Sequence, residues 1–417
     1  MGKYNEYKDS GVQWLGEIPS HWKMKRLASM FVGEVEINKK YRIKRAFKFN
    51  YGDLVPKNEV GDLEEYKNVY TKYSLIKKGD IIINGLNLNY DFVSQRVACT
   101  PDEGIITSAY VVCRPRKKVS YNFYTYLFKG MDSMKLFHGM GSGIRLTLSF
   151  KELKRQLLPV PPEEEQNAIV FYLDIKCSSI EILLANKKKE ITLLQEMKQR
   201  VIADAVTRGL NPKVKFKPTN ISWLPEIPEH WKMSKVSSHF RQRNEKVSDK
   251  KYSPLSVSKI GITPQLDNVA LSNAEGNSRK LVKVGDYAVN SRSDRKGSCG
   301  ISNYEGSVSL ITIVLEPFDI DGGYVHYLFR SSPWVEEFYR NGRGIVADLW
   351  TTNYQMMKGM YLPVPPIEEQ HAIVSYITER VAKIDSLIEK LNKEIECIKE
   401  YKQRLISDVV TGQIKVS

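Results

Sequence analysis

Leu158-Pro159-Val160-Pro161-Pro162-Glu163-Glu164-Glu165-Gln166-Asn167-Ala168-Ile169-Val170-Phe171-Tyr172 returns further along the chain as Leu362-Pro363-Val364-Pro365-Pro366-Ile367-Glu368-Glu369-Gln370-His371-Ala372-Ile373-Val374-Ser375-Tyr376, identical at twelve of fifteen positions. Each copy stands between a stretch of short β-like runs and a long helix-compatible run. The chain reads as two rounds of one plan, and this duplication decides the fold.

Working upstream, a second repeat precedes each copy. Trp14-Leu15-Gly16-Glu17-Ile18-Pro19-Ser20-His21-Trp22-Lys23-Met24 matches Trp223-Leu224-Pro225-Glu226-Ile227-Pro228-Glu229-His230-Trp231-Lys232-Met233 at nine of eleven positions, displaced by 209 residues. A proline-fixed turn carrying two large rings suits a clamp of a domain's start onto its own core, because the rings bury much surface. The competing role is base stacking by a tryptophan.

Downstream, Pro162 fits a first helical turn, with Glu163 to Glu165 beside the positive end of the helix dipole. No proline or glycine interrupts the run to Arg208-Gly209. Steps of four and three give Leu173, Cys177, Ile180, Leu184, Lys187, Ile191, Leu194, Lys198, Val201 and Ala205, and the second copy gives Ile377, Val381, Ile384, Ile388, Leu391, Ile395, Ile398, Lys402, Leu405 and Val409. Both are coiled-coil seams, imperfect at the lysines. A helix of about 45 residues is roughly 65 Å long. The first run ends where the second β-like stretch begins, after the linker Asn211 to Thr219, so two domains are expected at opposite ends of a rod. The second helix can pair with the first only by running back along it. The expected fold is α+β: two duplicated α/β domains joined by two long helices in an antiparallel coiled coil, with an approximate two-fold axis. The expected divisions are 1–157, the first variable domain; 158–211, the first helical region; 212–361, the second variable domain; and 362–417, the second helical region.

Composition bounds the function. The 417 residues are 42% hydrophobic, which suits two or three folded domains. Lys and Arg number 63 against 48 Asp and Glu, a net charge of +15, and this points to a polyanionic partner. No apolar run approaches the roughly 20 residues that span a bilayer, and Met1-Gly2-Lys3-Tyr4-Asn5-Glu6 does not open a signal peptide, so a cytoplasmic protein without a membrane partner is expected. The cysteines Cys99, Cys113, Cys177, Cys299 and Cys397 are scattered, with neither a zinc nor a disulfide pattern.

Inside the variable stretches, Asp80-Ile81-Ile82-Ile83 and Tyr110-Val111-Val112-Cys113 read as strands and Asn122 to Phe128 as a helix. The halves share Gly79-Asp80 and Asn84 with Gly285-Asp286 and Asn290, Gly104 with Gly306, and Tyr126-Leu127-Phe128 with Tyr327-Leu328-Phe329. They also share Gly141-x-Gly143-Ile144 with Gly342-x-Gly344-Ile345. The loops between these landmarks differ completely. After the shared asparagine one half runs through Asn87, Asn89 and Tyr90, the other through Arg292, Arg295 and Lys296. Asn and Arg make bidentate hydrogen bonds to adenine and guanine edges, so both loops, with Asn84 and Asn290, are candidate base readers. Surface turns also favour such residues for backbone reasons alone. The glycine loops carrying Arg145 and Arg343 are candidate phosphate contacts. The basic runs with Arg42, Lys44, Arg45 and Lys48, and with Arg241 and Arg243, are further candidates, with a solvated basic strand as the alternative. Two related heads with diverged loops suit two DNA half-sites of different sequence.

Catalysis finds no support. The chain has no Asn-Pro-Pro-aromatic or Asp-Pro-Pro-Tyr methyl-transfer motif, no phosphate-binding Gly-Lys-Ser/Thr loop and no His-Glu-x-x-His zinc motif. A nuclease-like spacing of Asp102 with Glu152-Leu153-Lys154 lacks a counterpart in the second half. No metal site is expected.

The order Trp-x-x-x-Ile-Pro-x-x-Trp, variable domain, Gly-x-Gly loop, Leu-Pro-x-Pro-Pro-x-x-Glu-Gln, and heptad helix ending in Lys-Gln-Arg, all of it twice, resembles the specificity subunit of Type I restriction-modification systems. The resemblance runs from Trp14 to Gly412. It implies two target-recognition domains, each reading one half of an asymmetric bipartite DNA site, and helices that set the spacer and carry the partners. Those partners are two adenine-methylating subunits and, for cleavage, ATP-dependent translocase-nuclease subunits. The subunit itself would be non-catalytic and bind no cofactor, with S-adenosylmethionine, ATP and Mg serving the partners. Pro161, Pro162, Glu164, Glu165 and Gln166, with Pro365, Pro366, Glu368, Glu369 and Gln370, become candidate docking residues. The helix ends differ, Thr207-Arg208-Gly209 against Thr411-Gly412-Gln413, which leaves the second cap open. The alternative function is a non-catalytic helical scaffold joining two protein-binding domains.

Overall fold

The computed structural model describes residues 2–50, 52–57, 65–143, 146–265, 278–344 and 350–416. It divides into two compact units, residues 1–187 with 392–417, and residues 188–391.

Each unit holds part of two long helices, Glu163–Arg208 and Ile367–Val410. The heptad reading predicts their inner faces: Leu173, Cys177, Ile180 and Leu184 are buried on the first, and Ile377, Ile384, Leu391, Ile395, Leu405 and Val409 on the second. In the first unit Glu181 pairs with Lys402 and Lys187 with Glu394. Numbers rise along one helix as they fall along the other, so the pairing is an antiparallel coiled coil. In the second unit Lys198 meets Asp385 at 2.7 Å. These contacts explain the imperfect seam positions. Each lysine lays its aliphatic stem along the interface and delivers its ammonium to a carboxylate of the facing helix.

The weak repeat between the halves is a repeated antiparallel sheet. In the first unit the strand order is Phe31–Val32, Val111–Pro115, Ile81–Ile83, Val97–Cys99; in the second it is Phe240–Gln242, Thr312–Pro317, Tyr287–Asn290, Cys299–Ile301. Even the register repeats, with Pro115 opposite Phe31 and Pro317 opposite Phe240. Ile81, Ile82 and Ile83 are wholly buried, as an unbroken apolar run in a central strand requires. The helix Tyr121–Ser133 follows the first sheet, whereas the second unit has Gly322–Leu328 and Ser332–Arg340, separated ahead of Pro333.

Both units hold a buried aspartate in the shared Gly-Asp turn, but the cation that neutralises it comes from different segments. Asp80 accepts from the Lys77 amide and pairs with Arg114 at 2.7 Å. Asp286 accepts from the Lys283 amide and pairs with Arg243 at 2.6 Å. Counted from the matched Phe-Pro register, the position of Arg114 is Glu316 in the second unit, and that of Arg243 is Glu34 in the first. A buried carboxylate needs a cation, which the adjacent strand supplies in the first unit and the residue just beyond the edge strand Phe240–Gln242 supplies in the second.

The two repeated motifs meet in each unit. Lys23–Arg26 pairs antiparallel with Leu157–Val160, and Lys232–Lys235 with Tyr361–Val364, so the segment after each His-Trp is zipped to the segment before each Pro-Pro. Trp22 and Trp231 are fully buried there, the clamp role expected of them. The helix ends, unequal in sequence, close alike on left-handed glycines, Gly209 at φ 74° and Gly412 at φ 77°. Beyond Gly412 the Gln413 amide returns to the Asp408 carbonyl at 2.8 Å.

Candidate nucleic-acid interface

In each unit the loop after the shared asparagine leaves the end of a central strand and is joined to the glycine loop through the backbone, in the second unit also by the Ser293 amide donating to the Trp350 carbonyl at 2.9 Å. The Leu148 amide donates to the Gly85 carbonyl at 2.9 Å; the Thr352 amide donates to the Ser291 carbonyl at 3.0 Å. Segments about 60 residues apart in sequence thus form one surface per unit. The side chains of Asn84 and Asn290 turn inward on their own loops, accepting from the Leu86 and Arg292 amides at 3.2 Å. Each oxygen shapes its turn, and both residues are half-buried.

In the first unit Asn87 is exposed with φ 55°, Asn89 is half-buried, and Tyr90 stands 81% exposed. Phe92 and Val93, which sequence reasoning passed over, are exposed beside it, Phe92 stacked on His138 with ring centroids 4.6 Å apart. Asp91 is held below the ordinary carboxylate range, first by the Ser94 amide and last by Arg96. The basic run is also outward: Arg42, Lys44, Arg45 and Lys48 are exposed, with Arg45 paired to Asp102 and lying over the Phe47 ring. Arg145 lies outside the described residues.

In the second unit Arg295 and Lys296 are exposed and Arg292 half-buried, with Arg292 3.0 Å from Asp294 and Lys296 2.9 Å from Glu336. Arg292 and Arg343 both bridge to Thr351, which brings Arg343, exposed, and Trp350 to the same surface. Arg241 is exposed over the Phe318 ring. Arg243 does not belong with these. Its guanidinium is committed to Asp286 and its charged form is stabilised first by that hydrogen bond, so it is a structural cation, and the expectation of DNA contact is corrected there.

The docking residues divide in the same way. Glu165 accepts from Trp22 and His21, and Glu369 from Trp231 and His230. Gln166 donates to the Pro161 carbonyl at 2.8 Å and Gln370 to the Pro365 carbonyl at 2.9 Å, all four residues being buried. The Glu165, Gln166, Glu369 and Gln370 side chains and the Pro161 and Pro365 carbonyls thus hold the joint together. Pro162, Glu164, Pro366 and Glu368 remain exposed at the helix starts.

The nuclease-like spacing dissolves: Asp102 pairs with Arg45, and Glu152 completes a capping box with Ser149. Among the described residues no group of three or more His, Cys, Asp or Glu is placed to hold a metal ion, and no helix is long and apolar enough to cross a membrane.

Against this geometry, residues 19–193 match the family model for the Type I restriction modification DNA specificity domain. Over nearly its whole length the chain is similar to type I restriction enzyme specificity subunits, at 24% identity over 96% of this chain and 96% of the putative MjaX specificity subunit of Methanocaldococcus jannaschii. It also resembles the type I restriction enzyme MjaVIII specificity subunit of the same organism, at 23% identity over 85% of this chain and 84% of that one. Its fold matches a solved chain of the type I R-M system, described in terms of complex assembly and conformational transition, at TM-score 0.70 and 14% identity over 95% and 99% of the two chains. It also matches the HsdS subunit from Thermoanaerobacter tengcongensis at TM-score 0.51 and 16% identity, over 95% and 98%. The chain carries one frame twice with two unlike surfaces.

Proposed function

We propose that each unit reads one half of an asymmetric bipartite DNA site through its paired loops, and that the coiled coil sets the spacing between the halves. The observation that carries this reading is the contrast within the duplication. Sheet order, register, clamp and helix joint repeat, while the joined loops present Asn87 and Tyr90 in one unit and Arg292, Arg295 and Arg343 in the other. Selection for folding preserves a frame; different loops on one frame suit different base sequences. The exposed cations of both units supply phosphate contacts, which fix register on the duplex and make binding salt-dependent.

In this reading the subunit performs no chemistry and binds no cofactor. Two methyltransferase subunits, using S-adenosylmethionine, dock where the exposed Pro162, Glu164, Pro366 and Glu368 begin the long helices, and restriction subunits using ATP and Mg complete the complex. Near-identical sequence at the two joints suits two copies of one partner. The test is expression with an adenine methyltransferase partner and genome-wide mapping of methylated adenines. A bipartite motif is expected, and exchange of residues 25–157 for another such domain is expected to change one half only. A motif altered in both halves would refute the assignment of one half to each unit.

A further inference from the structure

Arg96 is among the largest wholly buried side chains of the first unit, 1% exposed, and its guanidinium faces not a carboxylate network but the inside of the reading loop. Nη1 donates to the carbonyls of Asn84 at 3.0 Å and Leu86 at 2.7 Å; Nη2 donates to those of Asn87 at 3.3 Å and Asp91 at 2.6 Å. The nearest carboxylate oxygen, of Asp91, is 3.7 Å away. The Arg96 backbone is anchored in turn, its amide donating to Asp132 at 2.7 Å. A loop whose carbonyls point inward leaves buried acceptors that need donors, and one planar fork supplies four. With the carbonyls turned in, Asn87 and Tyr90 are turned out.

The second unit does this differently. The Asn84 amide donates to the Arg96 carbonyl at 2.8 Å and the Asn290 amide to the Ser298 carbonyl at 2.8 Å, which makes Ser298 the counterpart of Arg96. Ser298 reaches no loop carbonyls in this way. The Tyr339 hydroxyl serves instead, donating to the Asn290 carbonyl at 2.8 Å with the Arg295 carbonyl 3.3 Å away.

We infer that Arg96 is a specificity-positioning residue for the first half-site, a brace that preforms the loop from Asn84 to Asp91 without touching DNA, and that Tyr339 is its counterpart for the second. The inference rests on the proposal that these loops read bases. Preformed loops lose less entropy on binding the right sequence and cannot adapt to a wrong one, so a loosened brace weakens discrimination more than general DNA affinity.

The experiment compares wild type, Arg96→Lys, Arg96→Met and Tyr339→Phe, each assembled with a methyltransferase partner. It reads the methylated motif, the affinity for duplexes altered in one half, and amide exchange of the Ile81–Ile83 and Val97–Cys99 strands. Arg96→Met is expected to keep sheet protection while its preference for the correct first half falls on the order of tenfold, with the second half unaffected. Arg96→Lys, with a cation but no fork, should fall between it and wild type, and Tyr339→Phe should relax the second half alone. Full first-half selectivity in Arg96→Lys and Arg96→Met would overturn the inference. So would loss of sheet protection in both, because Arg96 would then be holding the domain and not the loop. A wild type that yields no bipartite motif would instead refute the underlying reading of the loops.

Discussion

The indole N–H of Trp22 donates to the Glu165 carboxylate at 2.6 Å, and that of Trp231 donates to Glu369 at 3.0 Å. In each unit the tryptophan of the upstream repeat is thereby fastened to the first turn of a long helix, with a histidine, His21 or His230, on the same carboxylate. Removing the acceptor strands a wholly buried indole N–H, at a cost of about 1–3 kcal/mol. Glu165→Ala is expected to lower the stability of the first unit by that amount, with Glu165→Gln intermediate. Denaturant unfolding followed by exchange of the first unit's amides measures it, and an unchanged midpoint would show that the bond is energetically idle.

The same tryptophan meets the end of the other helix. A Cβ added at Gly412 would lie 2.5 Å from Pro19 Cδ and 3.0 Å from Trp22 Cη2, on a backbone at φ 77°. Gly412→Ala is expected to destabilise by more than about 1 kcal/mol, the scale for alanine at an incompatible conformation. Gly139→Ala, with nothing within 4 Å, is the matched control and should stay within about 0.5 kcal/mol of wild type. Thermal melting of the two variants side by side is the measurement.

Arg241 and Arg243 stand two residues apart and should separate cleanly. Arg243→Ala leaves Asp286 buried and unpaired, at an expected cost of about 3–5 kcal/mol to the second unit. Arg241→Ala removes an exposed cation and should leave stability within about 0.5 kcal/mol. If Arg241 contacts phosphate, its variant instead flattens the salt dependence of DNA binding by about one unit of slope. The reverse pattern would contradict the placement of these side chains.

His326 carries an acid sensitivity. Burial, aided by Arg330, lowers its pKa to about 4. The unfolded chain, with an ordinary histidine near 6.5, binds more protons between those values, so stability is full above pH 6.5 and declines as pH falls toward 4. The slope is at most about 1.4 kcal/mol per pH unit. Denaturation midpoints of the second unit at pH 7.5 and about pH 5 should diverge more in wild type than in His326→Gln, and equal divergence would exclude a role for this ring.

Much of the frame was legible in the chain because its signals are local and periodic. A 3.5-residue apolar repeat determines which helix face is buried wherever the partner lies, so Leu173 to Leu184 and Ile377 to Leu391 could be placed by counting. Duplicated motifs marked the joints, and diverged loops marked the surfaces. What only the tertiary structure decided is which polar side chains face inward. Arg96 and Tyr90 stand six positions apart, yet one is buried under four carbonyls and the other is 81% exposed. Arg243 looked like Arg241 until the fold brought Asp286 to it from 43 residues away, and Glu165 looked like a surface acid until Trp22 arrived from 143 residues upstream. A charge's role is set by the partner that folding delivers to it, and a linear pattern does not record that distance.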